Sequence, residues 1–492
     1  MALVAGSVSR GVRERRKRLA TACGLMLAAA LLAGCNSLMN AGSIGPNAAI
    51  VGKDVSSGPE EHARIVAAYG GIYHDAKLEQ NVARIVGRIV AASDQPDQPY
   101  RITILNAPAI NAFALPGGYL YVTRGLLTLA NDSSEVAAVL AHEMAHVTAN
   151  HAIERQNKAR NAVIVSRVVT DVLEDDDGRL ALASSQRSLA SFSRQQELEA
   201  DAMGVKTIGR AGYDPFAAAR FLATMAAYAN YRSASGPTLE KAPDFLASHP
   251  STPQRVEFAT KAARQFGAPG IGDRDRDRYL AGIDGVVYGD DPSQGYVRDR
   301  TFIHPTLGVG FSVPDGFVID NTSDAVLATG ADGTALRFDA VALVKGADLG
   351  QYLASGWVNG LDESSIRRFS VNGMPAASAN ASAKGWEFRI AIVQAPTGAT
   401  YRFIFANEEA TKGLDHAASL TVSSFQKLDQ QALARLRPLS IKIVKARPGD
   451  TQATLAAQMR GVNRPQELFR VLNDFDPGAP VPAGTRVKVV TD

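Results

Sequence analysis

Glu135-Val136-Ala137-Ala138-Val139-Leu140-Ala141-His142-Glu143-Met144-Ala145-His146 is an apolar run that ends in two histidines four residues apart. The run lacks glycine and proline and reads as a helix. Asp132 stands at its start, with Glu135 three residues on, in the pattern of a capping box. On a helix, residues four apart differ by about 40° around the axis, so His142 and His146 face one side and can share a metal ion. Glu143 lies beside them, where a carboxylate can take a proton from an attacking water. Charged and ionisable groups in so apolar a helix need a reason to be there.

Two histidines leave a metal short of ligands, because a catalytic site uses three protein ligands and an open position. His151 is nearest, but the helix is expected to run past it. Nine residues beyond His142 is about 180° around the axis, so His151 points away unless the helix breaks. It reads as a structural or supporting residue. Arg194-Gln195-Gln196-Glu197-Leu198-Glu199-Ala200-Asp201 offers a better partner on a second helix, expected over 193–209. Glu197 and Asp201 share a face there and Glu199 does not.

HEMAH, followed about fifty residues later by ELEAD, resembles the gluzincin HExxH zinc metallopeptidase family of HtpX, BepA and the CAAX prenyl endopeptidases. Asn111-Ala112-Phe113-Ala114-Leu115-Pro116-Gly117-Gly118, the strand around Tyr119-Leu120-Tyr121-Val122-Thr123 and His249-Pro250 with Arg255 add to the likeness. The resemblance implies a metalloendopeptidase with one Zn2+ per chain, His142, His146 and Glu197 as ligands and Glu143 as base. It implies that Asp201 orients a histidine ligand, and that substrate lies along strand 119–123 as an edge, near Asn111, Gly118, Tyr119, Leu120 and Tyr121. It also places His249 over the cleft, in a stiff loop over 248–255 that two prolines bracket. There His249 serves either as an oxyanion donor or as a plug in the open metal position. Arg255 is expected to pair with Asp201.

The chain has 492 residues, 46% of them hydrophobic and 21% charged, which is globular composition and enough for several domains. Arg10, Arg13, Arg15, Arg16, Lys17 and Arg18 against Glu14 put +5 in residues 1–34, so the formal +3 of the whole leaves about −2 for the rest. Nothing there asks for a nucleic-acid partner. The basic run, the apolar stretch from Thr21 to Ala33 and Leu32-Ala33-Gly34-Cys35 read as a bacterial lipoprotein signal with Cys35 as the lipidated residue. Cys23 lies inside the signal, so a mature chain has a single cysteine and no disulfide. Asn36, where an aspartate favours inner-membrane retention, points to the periplasm and the inner leaflet of the outer membrane.

The organisation read from the pattern is a signal over 1–34, a Gly/Ser/Asn-rich tether over 35–58 and the peptidase domain over 59–266. A linker over 267–299, a middle domain over 300–427 and a last unit over 439–492 follow. The expected fold class is α+β. The peptidase part is mostly helical with a small edge sheet (strands near 100–105 and 119–123, the 111–118 stretch as a loop). The acidic Glu174–Gly178 stretch reads as a turn. In the middle domain Trp386, Phe388, Ile390 and Ile392 alternate, as do Tyr401, Phe403 and Phe405, around a Pro396-Thr397-Gly398 turn, which is a hairpin. The last unit, with Gly449-Asp450-Thr451 after a first strand, resembles a βααβ LysM module. Gln452 stands where an apolar residue is usual, so peptidoglycan binding and plain packing both stay open. The expected function is hydrolysis of unfolded or misassembled envelope polypeptides. The alternative is a chaperone or cell-wall tethering lipoprotein with little or no peptidase activity.

Overall fold

The computed structural model describes residues 58–155, 157, 176–233, 245, 249–322 and 325–492; of residues 176–192, 432, 434 and 435 it describes the backbone only. The leader, Cys35 and the tether up to residue 57 lie outside the described residues. Helices α1 (Pro59–Ala68) and α2 (Ala76–Ala92) come first, and α2 buries Leu78, Val82, Ile85, Val86 and Ile89. Strands β1 (Arg101–Leu105), β2 (Ala112–Leu115) and β3 (Tyr119–Thr123) form a small sheet, followed by α3 (Arg124–Leu129) and α4 (Ser133–Thr148).

The sheet order is β1-β3-β2. Strand 119–123 is therefore central, not an edge: it pairs parallel with β1 and antiparallel with β2. The parallel crossover threads β2 to the outside, a long-range choice that strand pattern alone does not reveal. The 111–118 stretch also holds a strand where a loop was expected. Leu120 and Tyr121 are fully buried in the middle of the sheet. Gly118 turns the chain at φ +81°, where a Cβ would meet the Pro99 carbonyl at 1.9 Å.

Asp132 caps α4 by accepting the Glu135 N–H at 3.0 Å. Glu135 reaches back one residue further than a capping box, to the Asn131 N–H at 2.7 Å. Every residue from Ser133 to His146 is buried. The helix does not run past His151: it stops at Thr148, because Asn150 takes φ +56° in the left-handed region, and helical backbone resumes at His151. Helix α5 (Asp176–Arg210) is longer than expected and begins inside the acidic stretch read as a turn.

Helices α6 (Ala217–Ser233), α7 (Pro253–Ala263) and α8 (Arg276–Ile283) complete the helical part. Helix α8 lies in the stretch read as linker, since Tyr279, Leu280 and Ile283 hide among its charges and are fully buried. Strands also begin early, at β4 (Tyr296–Arg298), which joins β5 (Thr301–His304), β6 (Val309–Ser312) and a short late strand, Gln426–Lys427, in one sheet.

A seven-stranded antiparallel sheet follows. Its strands are β7 (Val318–Asn321), β8 (Val326–Thr329), β9 (Ala335–Val341), β10 (Leu361–Val371), β11 (Met374–Ala383), β12 (Trp386–Gln394) and β13 (Thr400–Asn407), in the order β10-β11-β12-β13-β9-β8-β7. The β12–β13 pair is the hairpin expected from alternation. Helical and sheet-rich parts together make an α+β chain, and no helix among the described residues is long and apolar enough to cross a membrane.

The last unit is a βααβ arrangement: two paired strands, Ser440–Lys445 and Arg486–Thr491, around helices Gln452–Ala456 and Pro465–Asn473. The Gln452 amide donates to the Asp476 and Ala479 carbonyls, both at 2.8 Å, and ties two loops together. The unit's core is continuous with that of the helical part. Lys488, fully buried, donates to the carbonyls of Thr128, Leu129 and Ala130 at 3.1, 2.8 and 2.8 Å. Arg276 takes the Asn131 carbonyl at 2.8 Å. The corner that launches α4 thus has each of these four carbonyls satisfied by a cation. Burial pushes the Lys488 ammonium down and the nearby Glu135 carboxyl up.

Replacing Lys488 by methionine keeps the volume and strands three buried carbonyls. Lys488→Met is expected to cost about 3 kcal/mol of stability, read from the urea midpoint at constant slope. An unchanged midpoint would show that water or repacking caps the corner equally well.

Candidate metal centre

Helix α4 delivers His142, Glu143 and His146 to one point, and α5 crosses it closely enough that a Cβ on Gly204 would stand 3.2 Å from the His142 amide nitrogen. That approach brings Glu197 and Asp201 to the same point. His249 closes the third side. The His249 N–H donates to the Phe245 carbonyl at 2.7 Å, and the Phe245 N–H to the Ile110 carbonyl at 2.8 Å, next to β2. Arg255 sits on the first turn of α7 rather than in a loop, because Thr252 caps a helix that starts at Pro253.

Ligand atoms of His142, His146, Glu197 and His249 all lie within 4.8 Å of one another, and all four residues are buried. His142 Nε2 is 3.0 Å from His146 Nε2 and 3.4 Å from His249 Nδ1. Glu197 oxygens lie 3.5 Å from each α4 imidazole and 3.0 Å from His249 Nδ1. For ligands about 2.0–2.1 Å from a tetrahedral ion, corners stand roughly 3.3 Å apart. The donor set fits such an ion.

The surrounding charges suit it as well. Asp201 lies 3.0 Å from His142 Nδ1. Arg255 grips Asp201 with two hydrogen bonds of 2.7 Å, reaches Glu197 at 3.0 Å and donates to the Pro250 carbonyl at 3.2 Å. The pairing of Arg255 with Asp201 is the one expected from sequence. Burial alone would raise the Glu197 carboxyl, but His249 and His142 hold it well below the usual range. Burial opposes a charged His142, yet hydrogen bonds to Asp201 and Glu197 carry it up to about 9. Burial pushes His146 well below its ordinary value, which keeps that imidazole neutral as a ligand must be. Burial also raises Glu143. Its Oε1 is buried with no hydrogen-bond partner among the described residues, 3.6 Å from His249 Nε2.

The residues expected along a substrate edge are placed differently. Asn111 is buried, and its amide donates to the Tyr69 hydroxyl at 2.9 Å. With β3 central, Gly118, Leu120 and Tyr121 serve the sheet, and Tyr119 is half-buried. Beside the metal helix the outer strand is β2, which packs on α4. Sequence reasoning missed that His151 returns to the site, with its Nδ1 2.8 Å from His146 Nδ1. Asn150 was the available signal, since asparagine tolerates the left-handed turn that ends a helix.

Comparison with known proteins gives the site relatives. Residues 76–263 match the model of peptidase family M48. The chain is 29% identical over 215 residues to a beta-barrel assembly-enhancing protease of Yersinia pestis, covering 42% of this chain and 43% of the relative. It is 28% identical over 241 residues to the protein of that name in Escherichia coli K12, covering 47% and 48%. It is 32% identical over 202 residues to the mitochondrial metalloendopeptidase OMA1 of Schizosaccharomyces pombe, covering 40% and 57%. The chain thus spans about half the length of the relatives it matches. The resemblance carried by HEMAH and ELEAD is borne out over residues 76–263, the span that matches peptidase family M48.

Proposed function

We propose that this chain is a zinc-dependent endopeptidase of the bacterial cell envelope that cleaves unfolded or misassembled polypeptides there. The observation that carries the reading is the buried His142, His146, Glu197 and His249 cluster with the buried Glu143 carboxylate beside it, one oxygen of which has no hydrogen-bond partner among the described residues. The bacterial relatives' name, which refers to beta-barrel assembly, supports an envelope substrate. A tethering or chaperone lipoprotein without peptidase activity has no use for a buried carboxylate with an unsatisfied oxygen, which costs stability where it stands.

In this reading His142, His146 and Glu197 hold the ion. When bound, zinc supplies Lewis acidity toward the scissile carbonyl and makes a nearby water acidic enough to react. Glu143 accepts the proton of the attacking water and returns it to the leaving amine. Burial raises its pKa, the direction that helps a carboxylate accept a proton and hand it on. Asp201, clamped by Arg255, holds the His142 ring. The extended substrate pairs with β2, the outer strand, rather than with β3. His249 Nδ1 lies 3.4 Å from His142 Nε2 and 3.0 Å from Glu197, where it would close the position that substrate needs, and this favours the plug over the oxyanion donor. Cys35 carries a lipid that holds the chain at the periplasmic face of the outer membrane. The βααβ unit of LysM type lies against the peptidase part and leaves glycan contact as a further role.

Glu143→Gln is expected to keep zinc and to lower casein turnover at least about a hundredfold; undiminished hydrolysis by pure variant would end this mechanism. Glu197→Ala should empty the site of zinc while Glu199→Ala keeps most of it, as read by metal analysis after dialysis. His249→Ala should raise casein turnover with zinc retained, whereas a fall would make His249 an oxyanion donor. Cys35→Ser should leave the membrane fraction and take no labelled fatty acid. A variant that still pellets with membranes counts against the anchor.

A further inference from the structure

We propose that His151 is a positioning residue for His146: it accepts the His146 Nδ1–H, fixes that ring as an Nε2 ligand, and is itself held from α5 by Gln196 at its carbonyl with the Glu199 carboxylate beside its ring. The inference rests on the zinc-peptidase reading and concerns the support of one ligand within it.

Helix phase makes the contact unexpected. His151 is five residues beyond His146, about 140° away around an unbroken helix. The left-handed turn at Asn150 (φ +56°) cancels that rotation and swings His151 back under His146. The two rings meet at a centroid distance of 4.9 Å and 74°, nearly edge to face, with Nδ1 2.8 Å from Nδ1. His151 is 1% exposed, so water does not compete for that contact.

The direction of the hydrogen bond follows from the ligand geometry. His146 presents Nε2 to the other ligand atoms, 3.0 Å from His142 Nε2. A neutral imidazole that ligates through Nε2 carries its proton on Nδ1 and donates from there. His151 Nδ1 must then accept, which puts the His151 proton on Nε2. Glu199 Oε2 lies 3.5 Å from that nitrogen as a charged neighbour, and the nitrogen makes no hydrogen bond among the described residues. Gln196 completes the clamp by donating to the His151 carbonyl at 3.2 Å. One turn of α5 therefore carries a ligand, Glu197, flanked by two residues that brace the support of another. The two α4 histidines are held unequally: His142 Nδ1 faces the carboxylate of Asp201, and His146 Nδ1 faces an imidazole.

The test uses the full chain and Zn2+ titrated against a chromophoric chelator. Co2+ absorption serves as the ligand-field signature, and thermal unfolding of the metal-free protein as the control for folding. His151→Phe keeps the ring and removes the acceptor; it should weaken zinc binding by about 10–100-fold, shift the Co2+ bands and leave the metal-free midpoint in place. His151→Asn, whose Oδ1 stands where Nδ1 stood, should bind zinc within a few-fold of wild type. Glu199→Ala should fall between wild type and His151→Phe. If the phenylalanine variant does not fold, leucine takes its place in the same comparison. Zinc binding by His151→Phe equal to wild type, or equal losses in the Phe and Asn variants, would overturn the proposal. Glu197→Ala separates the two levels. If wild type binds zinc and Glu197→Ala does not, an unaffected His151→Phe sinks this inference alone, whereas a wild type that binds no zinc sinks the peptidase reading with it.

Discussion

Two carboxylates, Glu197 and Asp201, are buried one helical turn apart, and no protein interior tolerates that without cations. Arg255 answers Asp201 completely and Glu197 in part. The rest of the demand falls on the point where two α4 imidazoles and His249 converge. Much of the local architecture follows from it. Helices α4 and α5 must touch closely, so a glycine stands at their contact, and α7 must begin where its arginine can reach back across α5. His249 is carried in by the same backbone, since Arg255 also holds the Pro250 carbonyl.

This arrangement sets how much of the site could be read from the chain. His142, Glu143 and His146 were legible because a helix converts a spacing of four into a shared face. Glu197 and Asp201 were legible for the same reason, whereas Arg255 and His249 came to the site only through the family resemblance. Each helical inference used a short stretch and a fixed period. His151 was expected to point away from the site and instead meets His146, because one residue, Asn150, changes helix phase in a way that periodicity does not record.

The fold was legible where it is local and hidden where it is not. The β12–β13 hairpin follows from alternation and a turn. The centre of the three-stranded sheet does not, because a parallel β1–β3 pairing with β2 outside depends on a crossover rather than on strand composition. Helix α8 hid among alternating Asp and Arg, where three buried apolar side chains were outnumbered by charge. The burial of Lys488 against α3 was beyond reach, since nothing near residue 488 refers to residue 130.

That last contact spans 360 positions of sequence. Local segments fold in microseconds, whereas pairings at such separation wait for the loop between them to close. During synthesis the corner ahead of α4 stays uncapped until residue 488 has emerged, long after His142 and His146. The order of appearance thus separates making the histidines from completing the corner that launches their helix.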